Sequence, residues 1–258
     1  MSRPKVLITG ASGLIAGLAI HQLGERYEFH GLSRRPVNGI PHVKASITDP
    51  EAMRPAFTGM DTVLHLAAAN GPDEWQAWAP TMAVTVQGTL NVYEAARMAG
   101  VKRIVLASSG CCQLAWEWDP ELPYGVLANG PDDKIPATWP MVDLDWPVRP
   151  DSPYAVGKLF GENLGRYYAD KHGISTLVIR FGAVLADDRP QVRRHFPGYL
   201  SQADCVQMID KCLSAPPAMR FEIFNAISDN KYRWRSTEHT QTALGWQSHD
   251  SAEAAVQF

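Results

Sequence analysis

The feature that most constrains the fold is a glycine turn near the start of the chain, between an apolar strand pattern and an apolar helical pattern. The strand pattern ends at Thr9, glycines follow at Gly10 and Gly13, and the helical pattern runs from about Leu14 to Leu23. This order is typical of a dinucleotide site, because a turn without Cβ atoms lets a pyrophosphate approach the free N–H groups of a helix N-terminus. The predicted cofactor-binding residues of this turn are Gly10, Ser12, Gly13, Leu14 and Ile15.

Strand and helix patterns alternate along the rest of the chain, which predicts an α/β fold, a Rossmann-type doubly wound parallel sheet. The predicted strands after the first are 27–32, 42–47, 61–66, 103–107, 175–180 and 221–225. The predicted helices include 75–98 with an interruption near Pro80, 201–213 and 235–244. We expect a single domain over 1–258, with a dinucleotide-binding core mostly in 1–180 and a small C-terminal substrate-binding appendage in 181–258.

Length, charge and cysteine content narrow the class of protein. A chain of 258 residues with 45% apolar content can bury a substantial core in one domain. The net charge of −3 contains no block of like charges, so we expect a small-molecule substrate and neither nucleic acid nor membrane as partner. Four cysteines without metal-ligand spacing predict reduced thiols and no metal, and the lack of a signal-like or long apolar segment predicts a cytoplasmic protein.

Residues at the end of the second predicted strand are expected to determine whether the chain prefers NAD or NADP. An acidic residue about 20 positions after the glycines would bind the ribose 2′-hydroxyl of NAD, whereas arginine accommodates the 2′-phosphate of NADP. This chain has Ser33, Arg34 and Arg35 there and no acid. Because a guanidinium can grip phosphate bidentately or stack on adenine, we expect NADP to be favoured over NAD. The alternative is that the two arginines only form a solvated turn.

Three more residues are predicted to contact the cofactor. Asp49 precedes Pro50 at a predicted helix start, where it can cap the helix and can also face adenine. Ala67 and Ala68 follow the fourth predicted strand, where small side chains let a cofactor lie across the strand end.

A serine, a tyrosine and a lysine form the predicted catalytic group. Ser109 follows the fifth predicted strand, and Tyr154 and Lys158 lie four residues apart on one face of a predicted helix. A nearby ammonium favours the phenolate and lowers the pKa of a tyrosine, which lets Tyr154 exchange a proton with a substrate hydroxyl or carbonyl. We expect Lys158 to supply that charge and to bind the cofactor, while Ser109 orients the substrate oxygen.

Residues 110–150 differ from the rest of the chain in composition. They hold seven prolines and four tryptophans, at positions 116, 118, 139 and 146. A segment of about forty residues with little periodicity is uncommon inside a compact domain unless it is functional. We expect a lid or a wall of the substrate pocket. The tryptophans either stack on a sugar or form the small core of the segment itself.

Together these motifs resemble the extended short-chain dehydrogenase/reductases of the NAD-dependent epimerase/dehydratase family. The resemblance is carried by the G-x-x-G-x-x-A spacing from Gly10 to Ala16, the serine pair at 108–109 and a Y-x-x-x-K motif about 45 residues later. Segments 149–162 and 199–204 resemble the uronate dehydrogenase-like members in particular. The chain is therefore identified as a member of this family.

The resemblance implies roles for further residues. It implies hydride transfer to or from a nicotinamide at the oxygen held by Ser109 and Tyr154, and Arg194 as the residue that binds a substrate carboxylate. Tyr154 would itself contact the substrate. It also implies a homodimer through the helices at 86–98 and 154–168.

The chain also departs from the pattern of these relatives. Thr85 stands where the family has the first Asn of an N-V-x-G-T-x-N-V segment, so the proton-relay role of that Asn is in doubt here. Gly110 and Cys111 replace an Asn-His pair, and Ala183 replaces a serine. Two polar substrate contacts of the uronate enzymes are thus missing, which predicts the same chemistry on a different substrate.

These observations predict an NAD(P)-dependent oxidoreductase that interconverts a hydroxyl and a carbonyl on a small sugar-like substrate, as a sugar or sugar-acid dehydrogenase does. Two alternatives stay open. One is a sugar epimerase or dehydratase that retains its cofactor, against which the short carboxyl end argues. The other is an NADP-binding sensor without turnover.

Overall fold

The computed structural model describes residues 3–71 and 73–256, and its centre is a parallel sheet. The strands are β1 Lys5–Thr9, β2 Glu28–Ser33, β3 His42–Lys44, β4 Thr62–His65, β5 Arg103–Ser109, β6 Ser175–Phe181 and β7 Phe221–Ala226. Their order is β3-β2-β1-β4-β5-β6-β7, and all neighbouring pairs are parallel. The order reverses between β1 and β4, which opens a ligand-binding crevice at the carboxyl ends of the strands. The predicted doubly wound α/β fold is confirmed.

Helices cover both faces of the sheet. They are α1 Leu14–Leu23, α2 Pro50–Met53, α3 Trp78–Pro80, α4 Thr89–Ala99, α5 Tyr124–Asn129, α6 Pro153–His172, α7 Gln202–Leu213, α8 Glu238–Leu244 and α9 Ala252–Ala255. Strands β5 and β6 are buried along their whole length, as expected for parallel strands with helices on both sides. One apolar cluster lies under α1 and α7 and a second under α4 and α6.

The predicted boundaries agree with the observed ones to within a few residues. Strand β3 ends at Lys44, three residues early, whereas β5 extends through Ser109. The last long predicted helix begins at Glu238 instead of Arg235, because Arg235 forms an isolated β-bridge with Val142. The short helix α9 was not predicted.

The predicted interruption of a helix near Pro80 is wrong. Pro80 lies in the first turn, where its missing N–H breaks no helical hydrogen bond. Helical conformation then continues to Ala99, with π-helical turns over Thr81–Gly88. These wide turns pack closely on α6, where a Cβ added to Gly157 would lie 2.8 Å from the Thr81 methyl.

The segment 110–150 folds around an apolar cluster of its own. It contains α5 and the 3₁₀ turns Gly110–Trp118 and Asp132–Lys134. Its cluster is formed by the buried Tyr124, Leu127 and Val142 together with Trp234, against which Trp116, Trp139 and Trp146 pack. The segment is thus a folded wall with its own small core.

Candidate active site

A cavity of about 1110 Å³ runs along the carboxyl ends of the central strands. One end is lined by the glycine turn between β1 and α1, and the other by Tyr154, Arg194 and Arg235. The volume exceeds that of an ordinary small-molecule pocket, about 300–1,000 Å³, and leaves room for a dinucleotide and a small substrate together.

The glycine turn has the backbone geometry that a pyrophosphate requires. Gly10 has φ +70°, and a Cβ there would lie 2.9 Å from the Ala67 backbone nitrogen. Gly13 caps α1 without a side-chain hydrogen bond, so the first N–H groups of α1 stay available for an anion. These residues fit a dinucleotide. The predicted cofactor-binding residues that line the cavity are Gly10, Ser12, Gly13, Leu14, Ile15, Ser33, Arg34, Arg35, Ala67, Ala68 and Lys158.

Two exposed arginines follow β2 at the rim of the cavity. The Arg35 guanidinium donates to the hydroxyl of Ser12 at 3.4 Å and to its carbonyl at 3.3 Å, so it lies beside the glycine turn. The Ser33 hydroxyl donates to the Arg35 carbonyl and lies 3.0 Å from a ring nitrogen of His42. These contacts hold the turn, and both arginines line the cavity.

Asp49 caps helix α2 outside the lining of the cavity, and its contact with adenine stays a prediction. It is exposed and absent from the residues that line the cavity, and its carboxylate accepts from the Ala52 N–H as the N-cap of α2. Of its two predicted roles, the capping role is observed. Ser46 and Ile47 line this part of the cavity instead.

The three predicted catalytic residues all line the cavity. Helix α6 presents Tyr154 and Lys158 because Ser152 caps it and Pro153 occupies its first position. The Lys158 ammonium lies 5.3 Å from the centre of the Tyr154 ring and donates to the Ala107 carbonyl at 2.8 Å. Ser109, at the end of β5, accepts from the Cys111 N–H through its hydroxyl.

Burial is the largest influence on the pKa values of Tyr154 and Lys158. It raises the pKa of Tyr154, and the neighbouring Ser109 hydroxyl only partly opposes that rise. Burial also lowers the pKa of Lys158 to about 8. The predicted lowering of the Tyr154 pKa is therefore not seen in the protein alone, where burial of the ring is the largest influence.

The substrate end of the cavity contains an ion pair that was not predicted. Arg194 lines the cavity as expected, but its guanidinium lies 3.2 Å from the carboxylate of Glu117, whose side chain is only 5% exposed. Burial raises the pKa of Glu117, and the charges of Arg194 and Arg235 oppose that rise. The chain thus supplies a carboxylate of its own to the arginine that was expected to bind one.

None of the four tryptophans of segment 110–150 lines the cavity, so the sugar-stacking interpretation of them is wrong. Three pack in the segment's own core, and Trp118 is 64% exposed. Trp75 and Trp234 line the cavity instead. Segment 110–150 contributes Gly110, Cys111, Leu114 and Glu117 to the wall.

Comparison with known proteins decides the family. A sequence model described as the NAD dependent epimerase/dehydratase family matches residues 6–212. The chain belongs to this family. It is therefore an NAD(P)-dependent enzyme of the short-chain dehydrogenase/reductase type, and the resemblance seen in the motifs is confirmed.

Relatives in the family match the chain along nearly its full length. The L-arabinose 1-dehydrogenase (NAD(P)(+)) of Haloferax volcanii is 32% identical over 98% of this chain and 99% of its own. The NAD-dependent glucose-6-phosphate dehydrogenase of the same organism is 30% identical over 98% of this chain and 95% of its own. The crystal structure of uronate dehydrogenase from Agrobacterium tumefaciens has a TM-score of 0.78 at 27% identity, covering 98% of this chain and 87% of that one.

Beneath the catalytic residues this family member has a buried ion pair that the sequence did not single out. Arg180 donates to both carboxylate oxygens of Glu162 at 2.9 and 2.7 Å, and the Ser108 hydroxyl donates to the same carboxylate at 2.5 Å. Cys112 packs beside Ser108, and burial raises its pKa to about 12. This bidentate pair ties β5, β6 and α6 together where they present the catalytic side chains.

A second buried network supports the strands under the glycine turn. His65 joins Thr9 at 2.6 Å to Thr89 at 3.0 Å through its two ring nitrogens. Thr85, the residue that replaces the family's Asn, accepts from the Ala69 N–H and in turn accepts from Thr89 through its carbonyl. Thr85 therefore holds the loop after β4. Burial, with the charge of Lys158, lowers the pKa of His65 to about 3, so this network is neutral at pH 7.

The described residues contain no cluster of side chains suited to a metal ion. No described helix is long and apolar enough to cross a membrane. The four cysteines are free thiols.

Proposed function

We propose that this enzyme oxidises a hydroxyl group of a sugar or sugar acid to a carbonyl, with a nicotinamide dinucleotide as oxidant. The observation that carries the proposal is the meeting of Ser109, Tyr154 and Lys158 in one cavity whose far end is a glycine turn. The relatives that match the whole chain, named as an arabinose and a glucose-6-phosphate dehydrogenase, support a sugar substrate oxidised at its anomeric carbon. The product is then a lactone.

Each of the three residues has a separate part in this reaction. When bound, the nicotinamide ring accepts the hydride. Tyr154 takes the proton of the substrate hydroxyl, Ser109 holds the same oxygen, and Lys158 keeps positive charge within 5.3 Å of the tyrosine ring. Because burial raises the pKa of Tyr154, the rate of sugar oxidation rises with pH until the tyrosine is deprotonated in the complete site.

The dinucleotide is held by residues at the other end of the cavity. The N–H groups at the start of α1 face the pyrophosphate, and Ala67 and Ala68 leave space at the end of β4. We further propose that Arg34 and Arg35 favour NADP over NAD, because both line the cavity and no acid follows β2. If so, calorimetry will show tighter binding of NADP, and Arg34→Ala will weaken NADP more than NAD.

The proposal also covers assembly and location. Helices α4 and α6 pack side by side and carry the exposed apolar residues Met98, Val156 and Tyr167, which suit pairing with the same face of a second copy. Sedimentation of the wild type and of Tyr167→Glu tests this homodimer. Four free thiols suit a cytoplasmic location.

A screen of aldoses, aldonic and uronic acids and sugar phosphates with NADP and with NAD tests the main proposal. We expect one mole of reduced dinucleotide for each mole of sugar oxidised. Conversion of a sugar without net reduction of added dinucleotide would instead support a sugar epimerase with a retained cofactor. Robust binding of NADP without turnover of any sugar would support the sensor.

A further inference from the structure

Arg235 is a buried cation that forms no salt bridge within the described part of the chain, although its guanidinium lies 5.0 Å from the Trp234 ring centre and the charge of Glu117 acts on it. It lines the substrate end of the cavity and is 4% exposed. Within residues 3–71 and 73–256, its guanidinium forms no ion pair, and its Nε atom has no hydrogen-bond partner. The neighbouring arginines differ in forming ion pairs, because Arg194 pairs with Glu117 and Arg193 with Asp132, although Nε and Nη2 of Arg193 also lack a hydrogen-bond partner. A buried charge that lacks a hydrogen-bonded counter-ion is unfavourable, so an anionic ligand would stabilise Arg235 here.

The backbone of Arg235 is fixed on both sides. The Val142 N–H donates to the Trp234 carbonyl at 2.7 Å, and the Ser236 N–H donates to the Val142 carbonyl at 2.9 Å. Trp234 is fully buried and stacks on Tyr124 with ring centres 4.7 Å apart. The core of segment 110–150 therefore sets where the Arg235 side chain begins.

The guanidinium occupies space that two glycines leave free. A Cβ added to Gly110 would lie 1.9 Å from Nη1 of Arg235, and one added to Gly198 would lie 3.0 Å from Nη2. Gly110 is one of the positions where the chain departs from the uronate dehydrogenase pattern, in which an Asn stands. Arg235 thus fills the volume that a side chain at position 110 would take.

We propose that Arg235 binds the carboxylate of a sugar-acid substrate and is the residue that sets the preference of this enzyme for acids over neutral sugars. The inference rests on the proposed function. A guanidinium binds a planar carboxylate with two parallel hydrogen bonds, and Arg194 already has one of its nitrogens, Nη2, 3.2 Å from the Glu117 carboxylate.

The position of Arg235 suits a carboxylate better than a phosphate ester. Gly110 follows Ser109 directly, and consecutive Cα atoms lie about 3.8 Å apart, so the guanidinium that packs on Gly110 and the serine that holds the reacting oxygen line the same part of the cavity. In a hexuronic acid the carboxyl carbon is joined to the anomeric carbon through C5 and the ring oxygen. A 6-phosphate reaches further by two atoms.

The test measures kcat/KM for glucuronate, glucose and glucose 6-phosphate with the cofactor saturating. For Arg235→Gln we expect the ratio of glucuronate to glucose to fall by about 30–100-fold, the effect of losing a hydrogen-bonded charge of about 2–3 kcal/mol. Arg235→Lys keeps the positive charge but loses the two parallel N–H donors of the guanidinium, so it should give an intermediate ratio. Gly110→Ala should lower the ratio as well, because its methyl group displaces the guanidinium.

Arg233→Gln is the matched control. Arg233 lies two residues away, outside the cavity lining, and is paired with Asp229 at 3.4 Å. Its ratio should equal that of the wild type. An unchanged ratio in a folded Arg235→Gln protein overturns the inference, and a preference for glucose 6-phosphate that is lost in this variant overturns the assignment to a carboxylate.

Calorimetry with glucuronate and bound dinucleotide separates this inference from the proposed function. If the wild type oxidises none of the three sugars, the proposed function fails, but glucuronate binding that is lost in Arg235→Gln still supports the carboxylate site. Absence of glucuronate binding to the wild type overturns it.

Discussion

At one end of the cavity, residues of the single turn from Gly10 to Ile15, all but Ala11, line the site, whereas at the other end Glu117, Arg194 and Arg235 come from three distant segments. The first end depends on backbone conformation and on the start of one helix. The second depends on side chains, on the small core of segment 110–150 and on one β-bridge. Cofactor binding and substrate specificity therefore depend on different parts of this fold, and different mutations should affect them.

The largest expected effect is on turnover, in a variant that should leave binding of both the dinucleotide and the sugar nearly unchanged. Tyr154→Phe removes the hydroxyl that exchanges the proton, and we expect kcat/KM to fall by about 10³-fold, within the range for a lost general acid or base. Dinucleotide affinity measured by calorimetry should change less than about threefold. Retention of a tenth of the activity would show that another group moves the proton.

A glycine substitution tests the backbone end. Gly10→Ala places a Cβ 2.9 Å from the Ala67 nitrogen at φ +70°, and we expect a loss of about 2–3 kcal/mol in the free energy of unfolding. Dinucleotide affinity should fall as well.

Gly17→Ala is the control for that substitution. It lies within α1 with nothing within 4 Å of its added Cβ, and it should stabilise the fold by about 0.5–1 kcal/mol. Equal denaturation midpoints for the two variants would contradict the role assigned to the turn.

The buried histidine gives the cofactor end a pH dependence. The pKa of His65 is about 3 in the folded state against 6.5 as its ordinary value, so the unfolded chain binds the extra proton first as the pH falls. The stability that His65 contributes is complete above pH 6.5 and declines toward pH 3, by about 1.4 kcal/mol per pH unit.

A glutamine at this position removes the titration. His65→Gln should therefore show a shallower decline in urea-unfolding free energy between pH 6.5 and 4.5 than the wild type. Parallel curves for the two proteins would mean that His65 is not held neutral by burial.

The smallest expected effect is on substrate affinity at the end of the cavity formed by Glu117, Arg194 and Arg235. Glu117→Gln removes the carboxylate beside Arg194, which leaves a second cation free for an acidic substrate. We expect KM for glucuronate to fall about three- to tenfold, equivalent to about 1 kcal/mol, with little change for glucose. A rise in KM for glucuronate would show that Glu117 itself holds the sugar.

The sequence was informative where function depends on neighbouring residues. The turn at Gly10 and the pair Tyr154 and Lys158 are local patterns whose geometry follows from one turn or one helical face, and the strands around them follow from continuous apolar runs. Asp49 was ambiguous because the same residue type that caps a helix can also contact adenine, and the structure shows only the cap.

The substrate end could not be predicted because its contacts join residues far apart in the chain. Arg235 was assigned to the start of a helix, and only its pairing with Val142 reveals that it is held at the cavity. Glu117 had no local pattern at all. The tryptophans of segment 110–150 gave a compositional signal that did not distinguish a sugar platform from a core, and the packing around Tyr124 decided for the core.

The contact between Gly110 and Arg235 links two positions that are far apart in the chain. Because a Cβ at position 110 would lie 1.9 Å from Nη1 of Arg235, any side chain at 110 requires the guanidinium to leave its place in the cavity. Positions 110 and 235 should therefore vary together among relatives, and a laboratory conversion of substrate preference should change both.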